Sequence, residues 1–278
     1  MDERPKPILS KPIGRPILLF LLFLYLLLCL VMALAQRSLL YHPHVYTPEQ
    51  VDKGAQKAKL ERWVDSSGAN IGLKRLSPRQ PAEGSVLIMY GNGSTATGCS
   101  GYADDIQKVA PMDIYILEYP GYEDRPGKPT EKSLFSAACD AFEMLPTNQP
   151  AYLVGQSLGS GVASYLAGTY TNRVAAIVLI SPFTSTTAVG QDRYVILPVW
   201  LLLVDRFPSE YYLRNYHGKV GISVDGLDTT VPEKFGLRLY HGYDGPKKLW
   251  DFPDGRHCEI SSPHTKFWTE AVAFWQNN

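Results

Sequence analysis

Residues 152–166 read Tyr-Leu-Val-Gly-Gln-Ser-Leu-Gly-Ser-Gly-Val-Ala-Ser-Tyr-Leu. Tyr152-Leu153-Val154 is an apolar strand and Val162 to Leu166 suits a helix, so Gly155-Gln156-Ser157-Leu158-Gly159 must turn one into the other. A turn that abrupt holds its central residue in strained backbone and lifts the Ser157 hydroxyl clear of both elements. Gly155 and Gly159 let the neighbouring backbone approach without Cβ clashes. A bare Gly-x-Ser-x-Gly pattern recurs by chance, because small residues are common. The strand before it and the helix after it give it weight, and make Ser157 a candidate nucleophile.

On both sides of this turn, apolar strand candidates alternate with helical stretches. The strands are Ser85–Tyr90, Asp113–Tyr119, Ala151–Val154, Ala175–Ile180, Val220–Val224 and Lys247–Phe252; helices fit Tyr102–Val109, Thr130–Leu145 and the run after Ser157. Such alternation predicts an α/β fold with a mostly parallel central sheet flanked by helices. Glu61–Asp65 and Asn70–Leu76, joined by Ser66-Ser67-Gly68, predict an antiparallel hairpin at one edge. Ser262 as N-cap and Pro263 at the first helical position predict a last helix with Phe267, Ala271, Phe274 and Trp275 on one face.

The chain has 278 residues, 45% hydrophobic and 19% charged, enough for one sizeable core plus an appendage. A net charge of zero removes the electrostatic footprint that nucleic-acid binding needs. Cys29, Cys99, Cys139 and Cys258 form no Cys-x-x-Cys pair, so no metal site is expected and the cysteines read as reduced. Gly91-Asn92-Gly93 resembles a phosphate-cradling turn, yet Gly98 comes two positions late for a dinucleotide fingerprint and no P-loop lysine follows. No cofactor is expected.

From Pro16 to Gln36 the chain carries no charge and is bounded by Arg15 and Arg37. As a helix this stretch rises about 31 Å, matching a hydrocarbon core of about 30 Å. It reads as a retained transmembrane anchor, residues 16–36, after an N-terminal segment of residues 1–15. Lys6, Lys11 and Arg15 favour a cytoplasmic N-terminus and a body on the non-cytoplasmic side. The competing reading is a signal peptide cleaved near Ala35, after Ala33-Leu34-Ala35, giving a secreted protein. Residues 37–59 read as a connector, because Pro43 and Pro48 discourage a continuous helix, and residues 60–278 as the globular domain.

The turn in its setting resembles the nucleophile elbow of the α/β-hydrolase superfamily, whose triad runs Ser, then Asp or Glu, then His. The resemblance implies an acid in Asp225-Gly226-Leu227-Asp228-Thr229-Thr230-Val231-Pro232, with Asp228 preferred and Asp225 the fallback. It implies His257 as base, in Gly255-Arg256-His257, where the superfamily carries Gly-x-His. Oxyanion donors would be the N–H of Leu158 and one from Gly91-Asn92-Gly93-Ser94, with Asn92 first. Many relatives begin that loop with His-Gly; this chain has Tyr90-Gly91, a departure that leaves the N–H donors in place but not the family's hydrogen-bond bracing as a given.

Arg37-Ser38-Leu39-Leu40-Tyr41-His42-Pro43, Glu118-Tyr119-Pro120-Gly121-Tyr122 and Ser181-Pro182-Phe183-Thr184-Ser185 are similar to a branch of single-pass, serine-aminopeptidase-like members. That branch implies an acyl ester, thioester or amide substrate without choosing among them. A binding protein that keeps the fold without turnover is the reading from another class. Between 183 and 216 a short cap is expected. Its apolar run Tyr194–Val204 reads as a helix buried against the sheet, with a lipid-facing lid as the alternative.

Overall fold

The computed structural model describes residues 14–258 and 264–277. Its strands are β1 (Glu61–Val64), β2 (Asn70–Arg75), β3 (Gly84–Met89), β4 (Met112–Leu117), β5 (Ala151–Gln156), β6 (Val174–Ile180), β7 (Lys219–Asp225) and β8 (Lys247–Phe252). They form one eight-stranded sheet in the order β1-β2-β4-β3-β5-β6-β7-β8. β1 and β2 pair antiparallel as the expected edge hairpin, and β2 meets β4 antiparallel. From β4 to β8 every neighbour is parallel. β3 and β4 are buried along their whole length, as strands covered on both faces must be.

The helices are α1 (Gly14–Leu40), α2 (Pro48–Lys57), α3 (Ser100–Val109), α4 (Glu131–Glu143), α5 (Leu158–Thr169), α6 (Thr186–Arg193), α7 (Val199–Leu202), α8 (Ser209–Leu213), α9 (Glu233–Gly242) and α10 (His264–Gln276). α5 packs on β5 and β6, and α10 on α3, leaving the C-terminal ends of the parallel strands free to carry loops. Phe267, Ala271 and Trp275 of α10 are buried as their spacing demands; Ser262 and Pro263 lie outside the described residues.

Two expectations need correction. The connector is not a plain tether, because Pro48–Lys57 is a helix. Thr47 caps it, its hydroxyl accepting from the Gln50 N–H while the Gln50 side chain accepts from the Thr47 N–H, and Pro48 occupies the first turn. A proline there starts a helix instead of breaking one. The cap run is not core: Val195, Ile196, Trp200, Leu201 and Val204 are 61–76% exposed. Leu197 and Val199 turn inward and pack against Cys29 of α1 instead of the sheet, with Leu202 and Leu203 partly buried beside them.

α1 is long and apolar enough to cross a membrane, with a mean hydropathy of 3.2 over its most apolar window and almost none of that window buried. It runs past Gln36 to Leu40 without interruption.

Candidate active site

β5 delivers the chain to Ser157 at the C-terminal edge of the sheet, and α5 begins at the next residue. Ser157 has φ 50° and ψ −116°, a left-handed conformation that costs a non-glycine residue of order 1–3 kcal/mol. It is held there from both sides. Its N–H donates to the Ile180 carbonyl at 2.9 Å, and its own carbonyl accepts from the Ser160 hydroxyl at 2.6 Å. The flanking glycines are required sterically: a Cβ on Gly159 would lie 2.1 Å from the Met89 carbonyl oxygen, and one on Gly155 2.6 Å from the Gly159 carbonyl oxygen.

Three of the residues expected from the sequence come together. Ser157 Oγ lies 2.9 Å from His257 Nε2, and His257 Nδ1 lies 2.6 Å from Asp228 Oδ2. A carboxylate only accepts, so Nδ1 carries a proton, and in the neutral imidazole Nε2 is then the atom that accepts from the serine. Asp228 is buried, and its other oxygen accepts from the N–H groups of Thr230 and Val231 at 2.7 and 2.8 Å. Those bonds fix the carboxylate plane before it meets the imidazole. Burial pulls the His257 pKa down, but the bond to Asp228 and the neighbouring Cys258 thiol outweigh it and leave the pKa raised.

Asp225, the fallback acid, takes another part. Its Oδ2 accepts from the Ser181 hydroxyl at 2.6 Å, and that hydroxyl accepts from the Cys258 N–H at 3.0 Å. The pair thus ties the ends of β6 and β7 to the loop that carries His257. Burial pushes the Asp225 carboxyl up to about 6.

The Gly91-Asn92 loop lies directly over the elbow: a Cβ on Gly91 would stand 3.3 Å from Ser157 Cβ. The Asn92 side chain donates to the Leu40 carbonyl at 2.8 Å and meets His42 Nδ1 at 3.1 Å. Among the described residues, neither the Asn92 nor the Leu158 N–H has a protein acceptor.

The altered start of this loop has its own bracing, which the sequence did not reveal. Tyr90 donates its hydroxyl to Glu118 and accepts from the Tyr119 N–H at 3.2 Å. The Tyr119 hydroxyl donates to the Tyr90 carbonyl at 2.9 Å, and the Tyr122 hydroxyl to the Asn92 carbonyl at 2.8 Å. The three rings pack within 4.4–5.9 Å of one another. Burial, then the nearby Glu123, push the Glu118 carboxyl well above the carboxylate range. The segment Glu118-Tyr119-Pro120-Gly121-Tyr122 is the available signal in the sequence, but on its own it carries only a family resemblance.

A cavity of about 230 Å³ opens above the serine. Ser157, Leu158 and Asn92 form its floor, while Phe183, Val189 and Leu197 line it from the cap. Met32, Gln36, Leu39 and Leu40 of α1 complete the wall, and Arg193 is the one charged group among its described lining residues. Among the described residues no cluster of His, Cys, Asp and Glu could hold a metal ion.

A family model described as the alpha/beta hydrolase fold matches residues 86–216, a stretch that includes Ser157 and ends before Asp228 and His257. An uncharacterized protein of Mycobacterium tuberculosis is 33% identical over 181 residues, 60% of this chain and 64% of that protein. The lysophosphatidylserine lipase ABHD12 of Danio rerio is 28% identical over 177 residues, 56% of this chain and 46% of that protein. Protein ABHD12B of Homo sapiens is 28% identical over 181 residues, 57% of this chain and 50% of that protein. The chain therefore spans between about half and just under two thirds of the length of these relatives. Among solved structures, the Pyrococcus furiosus esterase Pf2001 superposes with a TM-score of 0.60 at 14% identity, covering 84% of this chain and 94% of the esterase. Est1E of Butyrivibrio proteoclasticus, bound to ferulic acid, reaches 0.61 at 16% identity, covering 76% of this chain and 96% of Est1E.

Proposed function

We propose that this chain, which belongs to the α/β-hydrolase superfamily, is a membrane-anchored serine hydrolase that cleaves carboxylic esters or thioesters through Ser157, His257 and Asp228. The observation that carries the proposal is the unbroken hydrogen-bonded line from Asp228 through His257 to Ser157. A neutral serine is a poor nucleophile, so His257 Nε2 takes the Oγ proton as Oγ attacks the substrate carbonyl carbon. Asp228 holds the tautomer and stabilises the imidazolium that forms. The carbonyl electrons move onto oxygen, where the Asn92 and Leu158 N–H groups stabilise the oxyanion. Collapse expels the alcohol or thiol, which takes the proton from His257 and leaves Ser157 acylated. Water, deprotonated by the same imidazole, then releases the acid.

The lining of the cavity favours an apolar acyl group, and the relatives and structural neighbours, a lysophosphatidylserine lipase and esterases among them, point to ester substrates. For the chain's organisation the reading is an anchor at 16–36, a connector at 37–59 and a catalytic domain at 60–278 with a short cap near 183–216. Retention of the anchor is favoured over cleavage near Ala35. The cut would sever α1 inside its contact with the cap, immediately before Gln36, and remove Tyr25, Cys29 and Met32 from Ile196, Leu197 and Val199.

The test is covalent. A fluorophosphonate should label the intact protein and fail to label Ser157→Ala or His257→Ala; equal labelling of Ser157→Ala sinks the assignment. A panel of acyl esters, acyl thioesters and aminoacyl amides then separates ester and thioester turnover from amidase activity.

A further inference from the structure

The cap descends along α1 in register. Gln36 meets Leu202 and Val204, donating to the Leu202 carbonyl at 3.2 Å and accepting from the Val204 N–H. Further toward the N-terminus of α1, Met32 and Cys29 pack with Leu197 and Val199. Lower still, the Tyr25 hydroxyl donates to the Ile196 carbonyl at 3.0 Å. At 1.5 Å per residue, Tyr25 lies about 16 Å along the helix from Gln36. With Gln36 at the polar boundary, that is about the depth of one leaflet of a hydrocarbon core about 30 Å thick.

The outward side of the cap fits such a depth. Val195 and Ile196 at its tip are 75% and 76% exposed, and Trp200, Leu201 and Val204 stand exposed behind them. Soluble surfaces do not ordinarily gather so many large apolar groups beside a bare apolar helix. The contact is also locked at its upper end: Arg37 pairs with the buried Asp205 at 3.0 Å.

Between α1 and the cap lies the cavity that ends at Ser157, with Met32, Leu39 and Leu40 as its helix-side wall. We propose that α1 is a structural part of the substrate site and that the cavity is a lateral port, through which the acyl chain of a bilayer-resident lipid ester enters from the leaflet and brings its carbonyl to Ser157. This rests on the hydrolase reading above. A chain entering this way passes from hydrocarbon to an apolar wall and never crosses water, so the cost of drawing an amphiphile into solution is avoided.

The full-length protein in phosphatidylcholine vesicles is treated with a long-chain alkyl fluorophosphonate that carries a diazirine at the tail end, then irradiated and mapped by peptide mass spectrometry. Phosphonylated Ser157 with tail crosslinks in 25–40 and 189–203 is the expected result. Phosphonylated Ser157 with crosslinks confined to other segments overturns the port and leaves the hydrolase reading standing; an unlabelled Ser157 sinks that reading, and the port with it. A second arm uses Val195→Asp/Ile196→Asp, which changes residues outside the cavity. Turnover of monooleoylglycerol in vesicles should fall about tenfold or more, since acidic side chains resist hydrocarbon. Hydrolysis of soluble p-nitrophenyl butyrate should persist. Equal effects on both substrates, or on neither, overturn the port.

Discussion

Ser157 is held in a left-handed conformation between two glycines that admit no side chain, and this strain is what the pentapeptide encodes. Sequence alone could order Ser157, Asp228 and His257 along the chain; it could not show that Asp228, instead of Asp225, reaches the imidazole. Both acids end the same strand region three residues apart, and only the Thr230 and Val231 N–H bonds turn Asp228 toward His257. The raised pKa of His257 has a kinetic consequence. In the proposed mechanism His257 is a base only when neutral, so activity should be present above its pKa and lost as pH falls through it. On a soluble ester, the rising limb of kcat/KM should therefore be centred above the ordinary imidazole value of about 6.5. Cys258→Ala removes one of the groups that raise the pKa, and should move that limb to lower pH. Asp228→Asn should lower kcat by about four orders of magnitude, because the tautomer is no longer fixed. A wild-type limb centred at or below the ordinary value contradicts this electrostatic account.

At the scale of elements, the alternation of strand and helix patterns locates β3 to β8 to within a few residues, because the central strands, covered on both faces, must be largely apolar. α2 is harder to read from sequence, although Thr47 and Gln50 spell a capping box, because Pro48 can break a helix or open its first turn. The bracing of the Gly91-Asn92 loop escaped for a different reason. Tyr90, Glu118, Tyr119 and Tyr122 come from two separate strand ends, and only the β3–β4 register brings them together. That bracing can be tested by Tyr90→Phe, which keeps the ring but strips a partner from the buried Glu118 carboxyl and an acceptor from the buried Tyr119 N–H. An unsatisfied buried polar group costs about 1–3 kcal/mol. At about 2–4 °C per kcal/mol for a domain of this size, Tm should fall by several degrees. Because the same loop carries the Asn92 N–H, kcat should fall more than KM rises. An unchanged Tm together with an unchanged kcat would remove Tyr90 from the loop's support.

Across the whole molecule, the cap shows why composition misleads where a second phase is present. Val195 to Val204 is apolar enough for core, and periodicity cannot reveal that Leu197 and Val199 face α1 while their neighbours face outward. If α1 crosses the bilayer, the outward face is solvated by lipid, and Gln36 and Arg37 mark the boundary where the cap turns polar. The side on which the body lies then follows from the flanking charges. Residues 37–278 carry Arg37, Lys53, Lys57, Lys59 and Arg62 near the anchor, but long domains translocate largely regardless of their charge. The proposed orientation therefore rests on Lys6, Lys11 and Arg15, which favour a cytoplasmic N-terminus. In sealed vesicles with the cytoplasmic face outward, added protease should leave residues 37–278 intact until detergent is added, while an epitope placed ahead of Met1 is removed at once. Digestion of the body with the epitope spared would reverse the orientation. A body recovered free in the lumen, beginning at Gln36, would instead establish cleavage and detach α1 from the cavity it lines.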